Sequence, residues 1–110
     1  MLQREIWLAD LNPTKGSEQK GLRPVVIISG NVLNKYINII IACPLTTIIK
    51  NYKGNLVLHP NTSNGLSETS EIITFQIRSI SKQRLVKNLG TITNTQLEIL
   101  KQGLNDILKY

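Results

Sequence analysis

A mostly β fold closed by one C-terminal helix is what this 110-residue sequence predicts, and three observations carry that expectation. Sixteen Ile, five Val and nine Thr make 30 residues β-branched, a density that favours strands over helices. Two runs, Val25-Val26-Ile27-Ile28 and Ile37 to Pro44, are apolar on both faces, as central strands are. Only the last stretch, from Thr95 onward, has a helical period. The length fits a single domain over residues 1–110 with one modest core.

Taken in order, Arg4 to Leu11 reads as a first strand, with Ile6, Leu8 and Asp10 on one face and Glu5, Trp7 and Ala9 on the other. Trp7 is expected to be packed. A long polar loop follows, Asn12 to Leu22, before the strand Pro24 to Ile28, with Pro24 expected at its first position because it has no N–H to donate. Ser29-Gly30-Asn31 breaks that strand, and Asn31 to Tyr36 is a connection whose conformation the pattern does not reveal. The third strand, Ile37 to Pro44, delivers Thr46 and Thr47 at its end. Asn51 to Gly54 is a turn, Asn55 to His59 a half-exposed strand, and Asn61 to Gly65 a second turn. His59 is expected at an exposed strand end.

Glu71 to Arg78 has the β-branched density of another strand, Ser79 to Leu85 suggests a short helical turn, and a final strand lies near Gly90-Thr91-Ile92. Thr95-Gln96-Leu97-Glu98 fits a capping box that opens the helix. Its apolar stripe is Leu97, Leu100, Leu104, Ile107 and Leu108, and Gly103 inside it weakens the helix by about 1 kcal/mol relative to Ala.

Thirteen basic against seven acidic residues give a formal charge of +6, which steers anionic partners toward the chain. Five aromatics are few for a platform that stacks single-stranded bases without sequence preference. The lone Cys43 has no partner for an internal disulfide, and one Cys, one His and no clustered carboxylates argue against a metal site. No run approaches the roughly 20 apolar residues of a membrane span and no signal peptide is recognisable, so the expected location is the cytoplasm.

Glu18, Arg23 and Thr46 fall at the ends of neighbouring expected strands, where a small barrel can gather a carboxylate, a guanidinium and a hydroxyl. That set suits metal-free cleavage of RNA by its own 2′-hydroxyl. Arg23 can grip phosphate oxygens with its planar fork. Thr46 can donate to the developing oxyanion, a contribution of about 3 kcal/mol for a preorganised donor. Glu18 is the available base, provided its pKa rises toward neutrality. Spacing alone favours a structural arginine, a turn threonine and a solvated glutamate. With His59 alone, a two-histidine mechanism is excluded.

The segment Asn12-Pro13-Thr14-Lys15-Gly16-Ser17-Glu18-Gln19, followed by Gly21-Leu22-Arg23-Pro24-Val25-Val26, resembles the signature of the MazF/PemK toxin family. Cys43-Pro44-Leu45-Thr46-Thr47 and Gln76 to Leu85 resemble two further blocks of that family, in its order and approximate spacing. The resemblance implies an SH3-like barrel with a C-terminal helix, homodimeric. It also implies a sequence-specific endoribonuclease that cuts single-stranded RNA, chiefly mRNA, to 2′,3′-cyclic phosphate and 5′-hydroxyl ends. No metal or other cofactor takes part, and a cognate antitoxin, expected to be acidic and partly disordered, blocks the activity.

By motif position the resemblance makes Arg23 and Thr46 the catalytic pair and Glu18 a carboxylate with a catalytic role in some members. Ser17 and Gln19 then bind RNA from the same loop, Thr47 is expected to bind RNA beside Thr46, and Gln76 belongs to the RNA channel or dimer interface. Lys15, Lys20, Lys50, Lys53 and Arg84 are candidates for phosphate contacts. Leu22 is a departure, standing where some relatives carry a polar or titratable side chain.

Two other readings share the fold. One is a gyrase-poisoning toxin without ribonuclease activity, which works through a C-terminal aromatic-glycine motif; the ending Asp106-Ile107-Leu108-Lys109-Tyr110 argues against it. The other is a non-catalytic RNA-binding barrel in which Arg23 and Thr46 serve affinity only.

Overall fold

A computed structural model describes residues 1–12 and 21–110. Its strands are β1 (Glu5–Asp10), β2 (Leu22–Ile27), β3 (Ile39–Thr46), β4 (Leu56–Leu58), β5 (Ser70–Ile72), β6 (Arg78–Ser81) and β7 (Leu85–Thr91), with helices α1 (Asn31–Tyr36) and α2 (Asn94–Lys109). The strands form one curled, antiparallel half-barrel in the order β4-β5-β3-β2-β1-β7, with β6 also paired to β3. The mostly β expectation with a C-terminal helix therefore holds. Among the described residues no helix is long and apolar enough to cross a membrane.

The two apolar runs become β2 and β3 at the middle of the sheet, where both faces are covered. Ile6, Val26, Cys43, Leu45 and Ile72 join Leu97 and Leu100 of α2 in one core cluster. Ala9, Val25, Ile27, Ile40, Ala42 and Ile80 form a second, against which Trp7 packs as expected. Because successive side chains of a strand point to opposite faces, Val25 and Val26 feed different clusters.

Several boundaries differ from expectation. β2 begins at Leu22, so Pro24 is its third residue; it pairs with Leu8 of β1, while the ladder to β3 starts one residue later at Val25. Pro44 lies within β3, opposite Val25, at the place where the other edge of β3 passes from β6 to β5. A missing N–H is tolerated there because neither of those partners faces it. Residues 71–78 are not one strand: β5 ends at Ile72, Thr74–Gln76 is a 3-10 turn, and β6 starts at Arg78. The helical turn expected before the last strand is present at Lys82–Arg84.

Asn31 to Tyr36, which the pattern left open, is α1. Its buried Asn34 donates through Nδ2 to the Ser29 carbonyl at 2.9 Å, and Ser29 Oγ accepts from the Ile41 N–H at 3.0 Å. The helix is thus pinned to β3 by polar contacts that hydropathy does not register.

In α2 the capping box is Thr93 with Gln96, not Thr95 with Glu98: Thr93 Oγ1 accepts from the Gln96 N–H at 3.0 Å, and Gln96 Oε1 accepts from the Thr93 N–H at 2.9 Å. Both threonines have a suitable partner three residues on, and the helix starts at the first of them, where the Leu97 N–H donates to the Thr93 carbonyl at 3.0 Å. Leu108 turns outward, 86% exposed, so the stripe serves the core only in its first half.

Candidate active site

The β2–β3 register is the source of the site. Val25 pairs with Pro44, and the same register carried two residues further sets Arg23 opposite Thr46. Both stand at the rim, Arg23 exposed and Thr46 half-buried. They line one groove of about 620 Å³ together with Leu11, Pro44, Leu45, Ile48, Ile73, Gln76 and Arg78.

The 3-10 turn delivers Gln76 to this groove because the Ile73 N–H donates to the Pro44 carbonyl at 2.9 Å and the Gln76 N–H to the Ile73 carbonyl at 3.2 Å. Thr46 Oγ1 accepts from the Ile48 N–H at 3.2 Å, which orients the hydroxyl and leaves its proton to donate. Among the described residues no carboxylate lines the groove, and neither the Arg23 nor the Arg78 guanidinium has a hydrogen-bonded or ion-paired partner there. Two free guanidiniums with a hydroxyl and an amide make a receptor for a phosphodiester.

Thr47 shares an adjoining depression with Arg23, Pro24 and Thr46. Other candidates lie elsewhere. Lys53 lines a separate hollow with Gly103, Asp106, Ile107 and Tyr110. Lys50 is not among the groove's lining residues; its backbone N–H is held by Glu71. Arg84 Nη1 donates to the backbone carbonyls of Asp10, at 3.3 Å, and Asn12, so it braces the chain where β1 ends. It lines a hollow of about 280 Å³ that meets the groove at Arg78. Glu18, Ser17, Gln19, Lys15 and Lys20 lie outside the described residues. The flanks of their segment are joined by the Leu11 N–H donating to the Gly21 carbonyl at 3.0 Å, beside Arg23.

Sequence reasoning missed Arg78 as a groove residue. Its spacing of two from Gln76 was the available signal, blurred because that stretch reads as one continuous strand. It also passed over Glu71, whose role depends on contacts across the chain. Burial alone pushes the Glu71 carboxyl up, but the Asn55 amide and the backbone N–H groups of Lys50, Asn51 and Tyr52 outweigh it and hold the pKa below the usual value.

Comparison with known proteins adds the family. The sequence profile described as PemK-like, MazF-like toxin of type II toxin-antitoxin system matches residues 2–108. A protein named Endoribonuclease MazF from Staphylococcus saprophyticus is 32% identical over 108 residues, covering 96% of this chain and 88% of that protein. The fold is shared with Mycobacterium tuberculosis toxin MazF-mt6, with a TM-score of 0.80, 20% identity and 96% of each chain covered. It is also shared with a mycobacterial endoribonuclease solved in complex with its cognate antitoxin, with a TM-score of 0.80, 21% identity, 98% of this chain and 94% of that one. A profile match across nearly the whole chain and a relative above 30% identity give one conclusion: this protein belongs to the PemK-like, MazF-like toxin family of type II toxin–antitoxin systems.

Proposed function

We propose that this chain is the toxin of a type II pair and acts as a metal-independent, sequence-specific endoribonuclease on single-stranded RNA, chiefly mRNA. The observation that carries the reading is the groove in which Arg23, Thr46 and Gln76 meet with Arg78. The relative named Endoribonuclease MazF supports the reaction class.

In this reading the scissile phosphate sits between Arg23 and Thr46. Glu18 accepts the proton of the attacking 2′-hydroxyl. That oxygen bonds to phosphorus as the bond to the 5′-oxygen of the next nucleotide breaks, leaving a 2′,3′-cyclic phosphate and, once protonated, a 5′-hydroxyl. Arg23 neutralises charge on the phosphorane-like transition state, and the Thr46 hydroxyl donates to one of its non-bridging oxygens. Gln76 and Arg78 hold the flanking nucleotide, and Ser17, Gln19, Lys15 and Lys20 add further RNA contacts. The functional unit is a homodimer of single-domain chains working in the cytoplasm. An acidic antitoxin silences it, a partner class supported by the mycobacterial relative solved with its antitoxin.

The test is incubation of the purified protein with long single-stranded RNA in excess EDTA, followed by end-group analysis. Discrete fragments with cyclic-phosphate and 5′-hydroxyl ends, lost in Arg23→Ala and Thr46→Ala, are expected. Intact RNA across many sequence contexts overturns the reading, and RNA bound but uncut favours a binding barrel.

A further inference from the structure

Glu71 is the most deeply buried charged side chain among the described residues, 1% exposed, and it lies in no ion pair. A carboxylate taken out of water needs compensation, and here all of it comes from one segment of chain. Oε1 accepts from the Lys50 N–H at 2.7 Å and the Asn51 N–H at 3.0 Å; Oε2 accepts from the Tyr52 N–H at 3.1 Å and Asn55 Nδ2 at 2.9 Å. Three consecutive backbone amides thus converge on one side chain. Asn51 adopts a positive φ of 54°, a conformation uncommon outside glycine, which helps bring them together.

The segment so gathered starts at the groove. Thr46 is the register partner of Glu71 in the β3–β5 ladder, Ile48 lines the groove, and Thr47 lines the depression beside Arg23. The far end is fixed as well, since the Asn55 side chain that donates to Glu71 also accepts from the Thr74 N–H at 3.0 Å and Thr74 Oγ1 at 2.8 Å. Thr74 opens the 3-10 turn that carries Gln76. One buried carboxylate therefore couples both sides of the groove: the 46–48 side through the backbone, and the Gln76 side through Asn55 and Thr74.

We propose that Glu71 is a positioning residue for RNA binding, a backbone clamp that holds residues 47–55 and the 74–76 turn in their substrate-receiving arrangement before RNA arrives. The proposal rests on the ribonuclease reading above. It touches neither substrate nor reacting atoms, so its effect falls on KM and on the choice of cut site, while kcat stays with Arg23 and Thr46. Ordering the segment in advance removes the entropic cost that RNA binding otherwise carries.

The experiment is steady-state cleavage of a short single-stranded RNA containing the site that the wild-type protein cuts, by wild type, Glu71→Gln, Glu71→Asp and Thr93→Ala. Gln keeps the shape, but its NH2 group faces donors, and Asn55 cannot flip to compensate because its oxygen serves Thr74. Expected are a KM raised about tenfold in Glu71→Gln with kcat within about twofold, partial recovery in Glu71→Asp, and no KM change in Thr93→Ala, which lowers stability away from the groove.

A folded Glu71→Gln protein with wild-type KM overturns the inference while leaving the ribonuclease reading intact; a wild type that cuts no RNA overturns both. Should the Glu71 variants not fold, amide exchange in the wild type decides. Lys50, Asn51 and Tyr52 amides protected equally with and without a 2′-deoxy RNA analogue support the clamp, and protection gained only with the analogue overturns it.

Discussion

Arg23 and Thr46 face one another across the open end of the β2–β3 ladder, two residues past the last paired positions Val25 and Pro44. Where the ladder stops, backbone pairing gives way to side chains that can reach a ligand, so the placement of Arg23 and Thr46 follows strand register rather than loop conformation. Arg23→Lys keeps the charge but loses the bidentate fork, and Thr46→Val keeps the shape but loses the donor. Each is expected to lower kcat/KM for RNA by about a hundredfold with little change in melting temperature. Loss of folding, or cleavage within a few-fold of wild type, would contradict this assignment.

The depressed pKa of Glu71 makes a statement about acid stability. A carboxyl whose folded pKa lies below the ordinary 4.5 contributes stability that is fully present above that value and is lost as pH falls through the folded pKa. Urea unfolding at about pH 7 and about pH 3 should therefore show a larger acid-induced loss in wild type than in Glu71→Gln. Glu71→Ala, which strands the three backbone amides and Asn55, should cost roughly 3 kcal/mol at neutral pH. Equal acid sensitivity of wild type and Glu71→Gln would contradict the pKa direction.

How much of this was legible in the sequence depends on the range of the interaction. β2 and β3 were readable because burial on both faces leaves a continuous apolar run, and Arg23 and Thr46 were readable because they sit at the ends of those runs. The break at Ile73 was not: Thr74-Phe75-Gln76 turns because Asn55, remote in sequence, holds the Thr74 N–H. Likewise α1 depends on Ser29 and Asn34 meeting β3 at Ile41, and the Glu71 clamp on amides some 20 residues away. Periodicity reports which face is apolar; it carries no signal for polar contacts between distant segments.

The α2 start gives a direct comparison. Thr93→Ala removes the acceptor for the Gln96 N–H and should destabilise by about 1 kcal/mol, lowering Tm by about 4 °C. Thr95→Ala, exposed one residue inside the helix, should leave stability unchanged or slightly raised, since Ala is the better helix former. Differential scanning calorimetry of the two variants checks it, and the reverse ranking would restore Thr95 as the cap.

Cys43 lies fully buried in the core cluster, and burial pushes its thiol up to about 12. The thiolate is the reactive form, so native protein near pH 8 should resist a disulfide-exchange reagent and react fully only after unfolding. Rapid labelling of folded protein would place the thiol elsewhere.

Gly103 sets two effects of opposite sign against each other. In isolation, Gly to Ala inside a helix stabilises by about 1 kcal/mol. Here a Cβ on Gly103 would stand 2.3 Å from the Gly54 carbonyl oxygen and 3.2 Å from its carbon, and those are backbone atoms with no rotamer to yield. Gly54 has φ +92°, so the turn cannot relax by exchanging it for another residue without strain. The clash outweighs the propensity gain, because accommodating it moves either α2 or the 51–55 turn whose amides Glu71 holds. Gly103→Ala is therefore expected to lower stability by about 1–3 kcal/mol, the usual range for overpacking, as read by urea unfolding. A stabilised Gly103→Ala variant would mean that α2 and the turn are not in backbone contact.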